Sequence, residues 1–381
     1  MKLTCKQQDL AKGLSTVGHA VSTRTTLPIL SNILLVAEGD RVRLSATNLE
    51  VAITCWVPAT IQEEGSTTAP AKLLSDFVAA LPAADVKLEQ VEGSQALKVS
   101  SQRSQATIRG MDPGEFPGIP TGDAGEQSVT LDAAELSQMI REVAFAAATD
   151  DARPVFTGVL TRIRNERLIM AGADSFRLAV ASTELLGVST QGDVLIPARA
   201  LSDLRKILPT EGSAKMTVTS NRNQALFRAD DIEMVTNLIA GQFPNFEAIL
   251  PKSHSTRVTL PTDQFRQAAK TATLFARDSA NIVRLKVEAG EPGGLTPGAV
   301  TLQATADEVG DTTTTIEEAA VDGGGMEIIF NVKYLTDVLS EIDTPQVALE
   351  LTSPQSPGVI RPVGARSEQY TYVIMPMHNT R

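Results

Sequence analysis

The chain repeats itself three times, and an internal repeat limits what a chain can fold into more than any single motif does. Three openings align: "LTCKQQDLAKGLSTV" from Leu3, "VTLDAAELSQMIREV" from Val129 and "VTLPTDQFRQAAKTA" from Val258. Each reads as a short strand, a polar turn and an amphipathic helix. In the second, Leu136, Met139, Ile140 and Val143 recur at helical spacing and form one apolar face. Asp132 stands just before them, where a carboxylate caps the free N–H groups of a helix start.

A second set recurs more plainly: "PAKLLSDFVAALP" from Pro70, "PARALSDLRKILP" from Pro197 and "NVKYLTDVLSEID" from Asn331. The third place is always basic (Lys72, Arg199, Lys333), and Ser or Thr precedes Asp in the middle of each. Proline at both ends of the first two suits a helix that starts at one proline and stops before the other. Each repeat then closes on its own marker: "GEFPGIP" from Gly114, "GQFPNFEAILP" from Gly241 and "YVIMPM" from Tyr372. Runs such as "RVRLSATNLEVAITCWVPA" and "RLIMAGADSFRLAVAS" alternate and are β-branched, as antiparallel strands are.

The expectation is an α+β protein of three tandem domains, each with two helices and an antiparallel sheet. Residues 1–124, 125–253 and 254–381 form the three, with polar links near 120–127 and 251–256. "EPGGLTPG" (291–298) reads as a surface hairpin loop in the third. A length of 381 residues, too long for one ordinary core, agrees with this division. With aromatics at 4% and Trp56 the single tryptophan, the cores must be mainly aliphatic.

No run of about 18 apolar residues exists to span a membrane. The start, "MKLTCKQQDLAKGL", places charges where a secretory leader needs an apolar stretch. Cys5 and Cys55 make no disulfide framework, so a reduced, cytoplasmic setting is expected. The net charge of −11 argues against polyanions globally, but recognition depends on where charges lie.

Catalytic and cofactor signatures are missing. His19, His254 and His378 have no second histidine or cysteine at metal-ligand spacing. There is no phosphate-binding glycine loop and no nucleophile elbow, and "DGGGM" (322–326) reads as a turn before a strand. Asp150-Asp151 and Asp230-Asp231 read as acidic turns, and both cysteines as core thiols. No cofactor or metal is expected. Three copies of a domain with no special site favour a binding surface over a catalyst.

"STRTTLPILSNILL" (22–35), "DARPVFTGVL" (151–160), "ADSFRLAV" (173–180), "GQFPNFEAILP" (241–251), "NVKYLTDVL" (331–339) and "YVIMPM" (372–377) stand in the order seen in bacterial sliding clamps. The chain resembles these β subunits of the replicative DNA polymerase III over its whole length. The resemblance implies two chains closing head to tail into a six-domain ring around duplex DNA. Helices would line the hole, and replicative polymerase, clamp loader and repair proteins would dock through short peptide motifs. It implies a processivity factor rather than an enzyme.

Carried over by position, the DNA-facing residues would be Arg24 in the "STRTTLP" loop, Lys72, Arg199, Arg205, Lys206, Lys270 and Lys333. Lys6, Lys12, Arg141 and Arg266 also lie on helices proposed to face the hole, mixed with acidic residues, so the lining should be mildly positive. The docking groove would comprise Phe156, Ala173, Ser175, Phe176, Arg177 and Leu178 from the middle of the chain. Pro244, Ile249, Val373, Met375, Pro376 and Met377 would complete it, with Arg177 orienting the peptide by hydrogen bonds. Ala173 stands where many relatives have a hydroxyl and Phe176 where some have histidine, and both make the groove more apolar. The dimer joint would pair the strand around 104–110 with the region 273–278, with Ile108, Leu274 and Phe275 at its apolar centre. Two other readings compete: a three-domain transferase-like enzyme with an interdomain site, and a scaffold with no role on DNA.

Overall fold

The structure is a computed structural model of the chain and describes residues 1–22, 26–119, 127–150, 152–185, 191–277, 279–290, 298–306 and 310–377. Arg24, most of the link at 120–127, Asp151, nearly all of the loop at 291–298 and His378 lie outside the described residues.

The first repeat runs β1 (Lys2–Lys6), α1 (Gln7–Gly18), β2 (Asn32–Glu38), β3 (Arg41–Thr47), β4 (Val51–Glu63), β5 (Gly65–Pro70), α2 (Ala71–Ala79), β6 (Asp85–Gln90), β7 (Ala96–Ser101) and β8 (Ser104–Arg109). The second runs β9 (Gln127–Asp132), α3 (Ala133–Ala144), β10 (Gly158–Arg164), β11 (Arg167–Ala173), β12 (Arg177–Glu184), β13 (Gly192–Pro197), α4 (Ala198–Ile207), β14 (Ser213–Val218), β15 (Gln224–Ala229) and β16 (Ile232–Asn237). The third runs β17 (Thr256–Pro261), α5 (Thr262–Ala276), β18 (Ile282–Glu288), β19 (Gly298–Ala306), β20 (Gly310–Gly323), β21 (Met326–Asn331), α6 (Val332–Glu341), β22 (Gln346–Leu351), β23 (Gly358–Pro362) and β24 (Tyr370–Ile374). One order of elements therefore recurs three times, as the sequence repeat requires.

Local chemistry explains the helix ends. Asp132 accepts the Glu135 N–H at 3.0 Å, the anticipated cap of α3, whose Leu136, Met139, Ile140 and Val143 are all buried. Asn331 does the same for α6 through the Lys333 N–H at 3.0 Å. At the other end, the last carbonyls of a helix need donors from elsewhere. Arg266 of α5 supplies two to α6, at Leu339 and Ile342, both at 2.7 Å. Gln7 of α1 supplies one to α2, at Val78 and 2.9 Å.

The strands do not divide as the repeats do. One compact unit is Met1–Ser137 with Arg199–Leu238; the other is Gln138–Ala198 with Ile239–Arg381. The first holds a twelve-stranded antiparallel sheet in the order β8-β7-β6-β1-β4-β16-β15-β14-β9, with β3, β2 and β5 leading off β4. The second holds another, in the order β13-β10-β11-β12-β24-β23-β22-β17-β20-β19-β18-β21. The middle repeat thus places β9 and β14–β16 in one sheet and β10–β13 in the other. Inter-strand hydrogen bonds cause this: β16 pairs with β4, and β24 with β12, so each sheet runs on across a repeat boundary.

The cores are aliphatic, as composition demanded, with Phe265, Phe330, Tyr370 and Tyr372 as the largest fully buried rings. Cys5 and Cys55 are buried free thiols. Burial pushes Cys5 up to about 12 and Cys55 to about 11, so neither is a nucleophile at neutral pH.

Candidate functional site

The second helix of every repeat carries its basic residue at the second helical position: Lys72 on α2, Arg199 on α4 and Lys333 on α6, all exposed. A cation there sits at the positive end of the helix dipole, where it costs about 0.3–1 kcal/mol rather than stabilising the helix. Arg205 and Lys206 on α4 and Lys270 on α5 are exposed as well, with Lys206 bonded to Asp203 at 2.7 Å. Three other basic residues of the expected lining are engaged in the fold instead. Arg141 binds Glu341 at 3.0 Å and Asp343 at 2.5 Å, and Arg266 caps α6. Lys6 falls at the end of β1 rather than on a helix, and is paired with Asp85 at 2.7 Å.

The expected groove is built around one tight turn. Asp174 accepts the N–H groups of Phe176 at 2.8 Å and Arg177 at 3.1 Å, which turns β11 back into β12. Just before it, Gly172 lets the chain close on α3: an added Cβ would lie 2.3 Å from the Val143 carbonyl oxygen. The segment from Ile239 folds back over the sheet, burying Phe243 and Phe246 against Leu178, Val359 and Val373.

A cavity of about 350 Å³ opens between these parts. Phe156, Ala173, Ser175, Arg177, Leu178, Pro244, Ile249, Val373 and Met375, nine residues of the expected groove, come together in its lining. Phe243, Phe246, Arg153 and Asp174 line it too. The two phenylalanines stood in the "GQFPNFEAILP" stretch, whose repeated Phe-Pro marked a domain end and drew attention from the lining. Ile249 and Met375 are exposed apolar side chains, at 45% and 39%. Phe156 meets Phe243 edge-on at 6.0 Å.

Three expected members lie outside the cavity. Phe176 is 57% exposed and stacks on Tyr334, ring centroids 6.3 Å apart. Pro376 and Met377 continue past β24, where the Met377 N–H bonds the Ile329 carbonyl at 2.8 Å.

Arg177 is bonded within the fold on three sides. Its Nε donates to Asp174 at 3.0 Å, Nη1 to Asp337 at 2.5 Å and Nη2 to the Phe145 carbonyl at 2.9 Å. The guanidinium also lies over Tyr334 at 4.7 Å, and the side chain is 8% exposed. It is an internal strut that also forms part of the cavity lining. The exposed cation at the mouth is Arg153, which bonds Ser175 and covers Phe156 at 4.7 Å. The site therefore offers an apolar trough with a few polar groups at its rim, which suits the side chains of an extended peptide. Among the described residues no group of His, Cys, Asp and Glu is placed to hold a metal.

For the dimer joint, Leu274 is 74% exposed at the end of α5, while Ile108 is 3% exposed. Ile108 is buried within the chain, so its side chain does not stand on the surface of β8. Phe275 is half-buried.

Three family models match the chain in order: the DNA polymerase III beta subunit N-terminal domain over residues 1–120, its central domain over 130–245 and its C-terminal domain over 247–378. The beta sliding clamp of Staphylococcus aureus is 31% identical over 385 residues, covering 99% of each chain. That of Synechocystis is 31% identical over 397 residues, again with 99% of each covered. Among solved structures, the DNA polymerase sliding clamp of Bacillus subtilis is 27% identical with a TM-score of 0.89, covering 100% of this chain and 99% of that one. A sliding clamp from Pseudomonas aeruginosa bound to griselimycin is 27% identical with a TM-score of 0.89 and full coverage of both chains.

Proposed function

We infer what this protein does from the family to which the chain belongs, that of the bacterial DNA polymerase III beta subunit: it is a DNA sliding clamp, a processivity factor for replication and not an enzyme. The transferase-like alternative has no support. We propose further that two copies close head to tail into a ring of six similar domains around duplex DNA, in the cytoplasm. No helix among the described residues is long and apolar enough to cross a membrane.

One observation carries the ring. The last strand of the second repeat pairs with the long strand of the first, Ile232 opposite Cys55, and the last strand of the third pairs with the long strand of the second, Ile374 opposite Arg177. That leaves β8, the last strand of the first repeat, pairing with β7 alone among the described residues. It leaves Gly310–Ala319 of β20, the long strand of the third, pairing with β19 alone. A third joint of the same kind joins β8 of one copy to β20 of another. Two such joints close a symmetric dimer and remove both edges. Leu274 would flank the joint rather than carry it.

A closed ring holds DNA by topology, so the exposed Lys72, Arg199, Arg205, Lys206, Lys270 and Lys333 need only weak, sequence-blind phosphate attraction. Arg24 keeps its assignment by position alone. The trough around Leu178 and Met375 receives short peptide segments of the polymerase and of other replication and repair proteins, which the ring then holds at high effective concentration. Loading on a nicked circular DNA, followed by cutting the circle, tests the ring. A clamp slides off the new ends; protein that stays bound sinks the reading.

A further inference from the structure

A second pocket, of about 310 Å³, lies in the same unit as the peptide trough and differs from it in chemistry. Lys252, His254, Arg257 and Arg361 line it around Glu350, with Glu368 exposed at its rim. Glu350 is 11% exposed and already satisfied: Arg257 donates to it at 2.6 Å and Arg361 at 3.4 Å. Arg361 is held in turn by the Thr371 hydroxyl at 2.6 Å. Three permanent cations thus face two carboxylates, in a protein whose net charge is −11. Lys252 is exposed at the opening.

Strand register ties this pocket to the trough. Arg257 stands opposite Glu350, Glu350 opposite Val359, Val359 opposite Val373, and Val373 opposite Leu178. Directly paired residues of antiparallel strands point to the same side. The basic pocket and the apolar trough therefore share one sheet face, and Val359 backs both. Three strand spacings, roughly 14 Å, separate Arg257 from Val373. The segment carrying Phe246, Ile249 and Leu250 covers the row between them. An extended peptide rises about 3.3 Å per residue, so about four residues cover this distance in a straight line, and a path that climbs over the exposed Ile249 takes about five or six.

We propose that the basic pocket takes acidic side chains of the same peptide whose apolar anchor occupies the trough, so that the protein favours docking segments with an acidic flank about five residues from the anchor. The proposal rests on the peptide-docking reading of the trough. Charge complementarity selects the occupant: the trough is mainly apolar, its Asp174 and Arg177 are paired with each other, and Arg153 is the exposed cation at its mouth. The second pocket adds a cationic stop at a fixed distance.

The test uses the full chain and labelled synthetic decapeptides with an adjacent Leu-Phe anchor. Asp-Asp is placed five and six residues to one side of the anchor or the other, and each peptide has an Asn-Asn twin. Fluorescence anisotropy at low salt should show one acidic peptide binding roughly 3–10-fold tighter than its twin, a preference that fades with salt. Lys252→Glu should erase that preference and leave the Asn-Asn peptide unchanged. Equal binding of acidic and amide peptides in both placements overturns the pocket while the trough stands, and so does an equal loss for both peptides in Lys252→Glu. If no anchored peptide binds at all, the docking reading fails and this proposal falls with it.

Discussion

The Met375 N–H donates to the Phe176 carbonyl at 2.8 Å, and the Asn237 N–H donates to the Glu50 carbonyl at 3.0 Å. The two bonds are one joint made twice. In each, the residue just past or at the end of a repeat's last strand reaches a turn before the long strand of the preceding repeat. Each turn is closed by an acceptor side chain, Asp174 for Arg177 and Asn48 for Val51. The "YVIMPM" strip is thus first a sheet-joining strand, with Val373 and Ile374 buried in it, and only then the wall of a trough.

That double role changes how the terminus must be tested. Deleting residues 373–381 removes two core side chains, at roughly 2–5 kcal/mol each, and should lower the melting temperature sharply. Met375→Asp leaves the strand intact. It should weaken an anchored peptide at least about ten-fold, read by anisotropy, with the melting curve shifted by no more than a few degrees.

Arg177 answers for stability rather than for peptide contact. Arg177→Ala strips Asp174 and Asp337 of their shared cation, and should cost roughly 2–4 kcal/mol in urea unfolding. Arg177→Lys should recover little of it, because an ammonium cannot satisfy three acceptors and lie flat on Tyr334. A variant of normal stability that loses only peptide affinity would restore the orienting role.

Lys72, Arg199 and Lys333 should act as a set. Changing all three to Ala should leave the fold untouched and shorten retention on circular DNA equally for unrelated sequences. The salt dependence of DNA binding should become shallower. A change that depends on sequence would contradict phosphate-only contact.

Leu274 and Ile108 should separate by assay. Leu274→Asp should shift sedimentation toward the monomer at low protein concentration with little change in melting. Ile108→Ala should lower stability by roughly 2–5 kcal/mol through its own core. The reverse pattern would place Ile108 at the joint.

The thiols set a pH limit. Cys5 is held up to about 12 and Cys55 to about 11 by burial, against 9.0 for the free group. Below pH 9 folded and unfolded states hold these protons alike, and the contribution is whole. From there toward 12 the unfolded state releases them and the native state does not, so stability should fall. Urea titrations at pH 8, 9 and 10 read this, and thiol reagents should react with both cysteines only on unfolding.

Local interactions made much of the molecule legible from its residues alone. Helix periodicity, prolines and cap residues act within a few positions, so the element order, the α3 face and the Asp132 cap follow from sequence. The family resemblance added most of the trough's lining, because short motifs travel intact. Tertiary structure alone decided what depends on partners far along the chain. That Arg177 is bonded to Asp337 of α6, 160 positions away, could not be read from the sequence, because only the tertiary fold brings the two together. Ile108 reads as an interface side chain until the pleat of β8 turns it inward. The units cut through the middle repeat because hydrogen bonds along a sheet ignore sequence boundaries, and that register alone sets the Arg257 pocket beside the Leu178 trough.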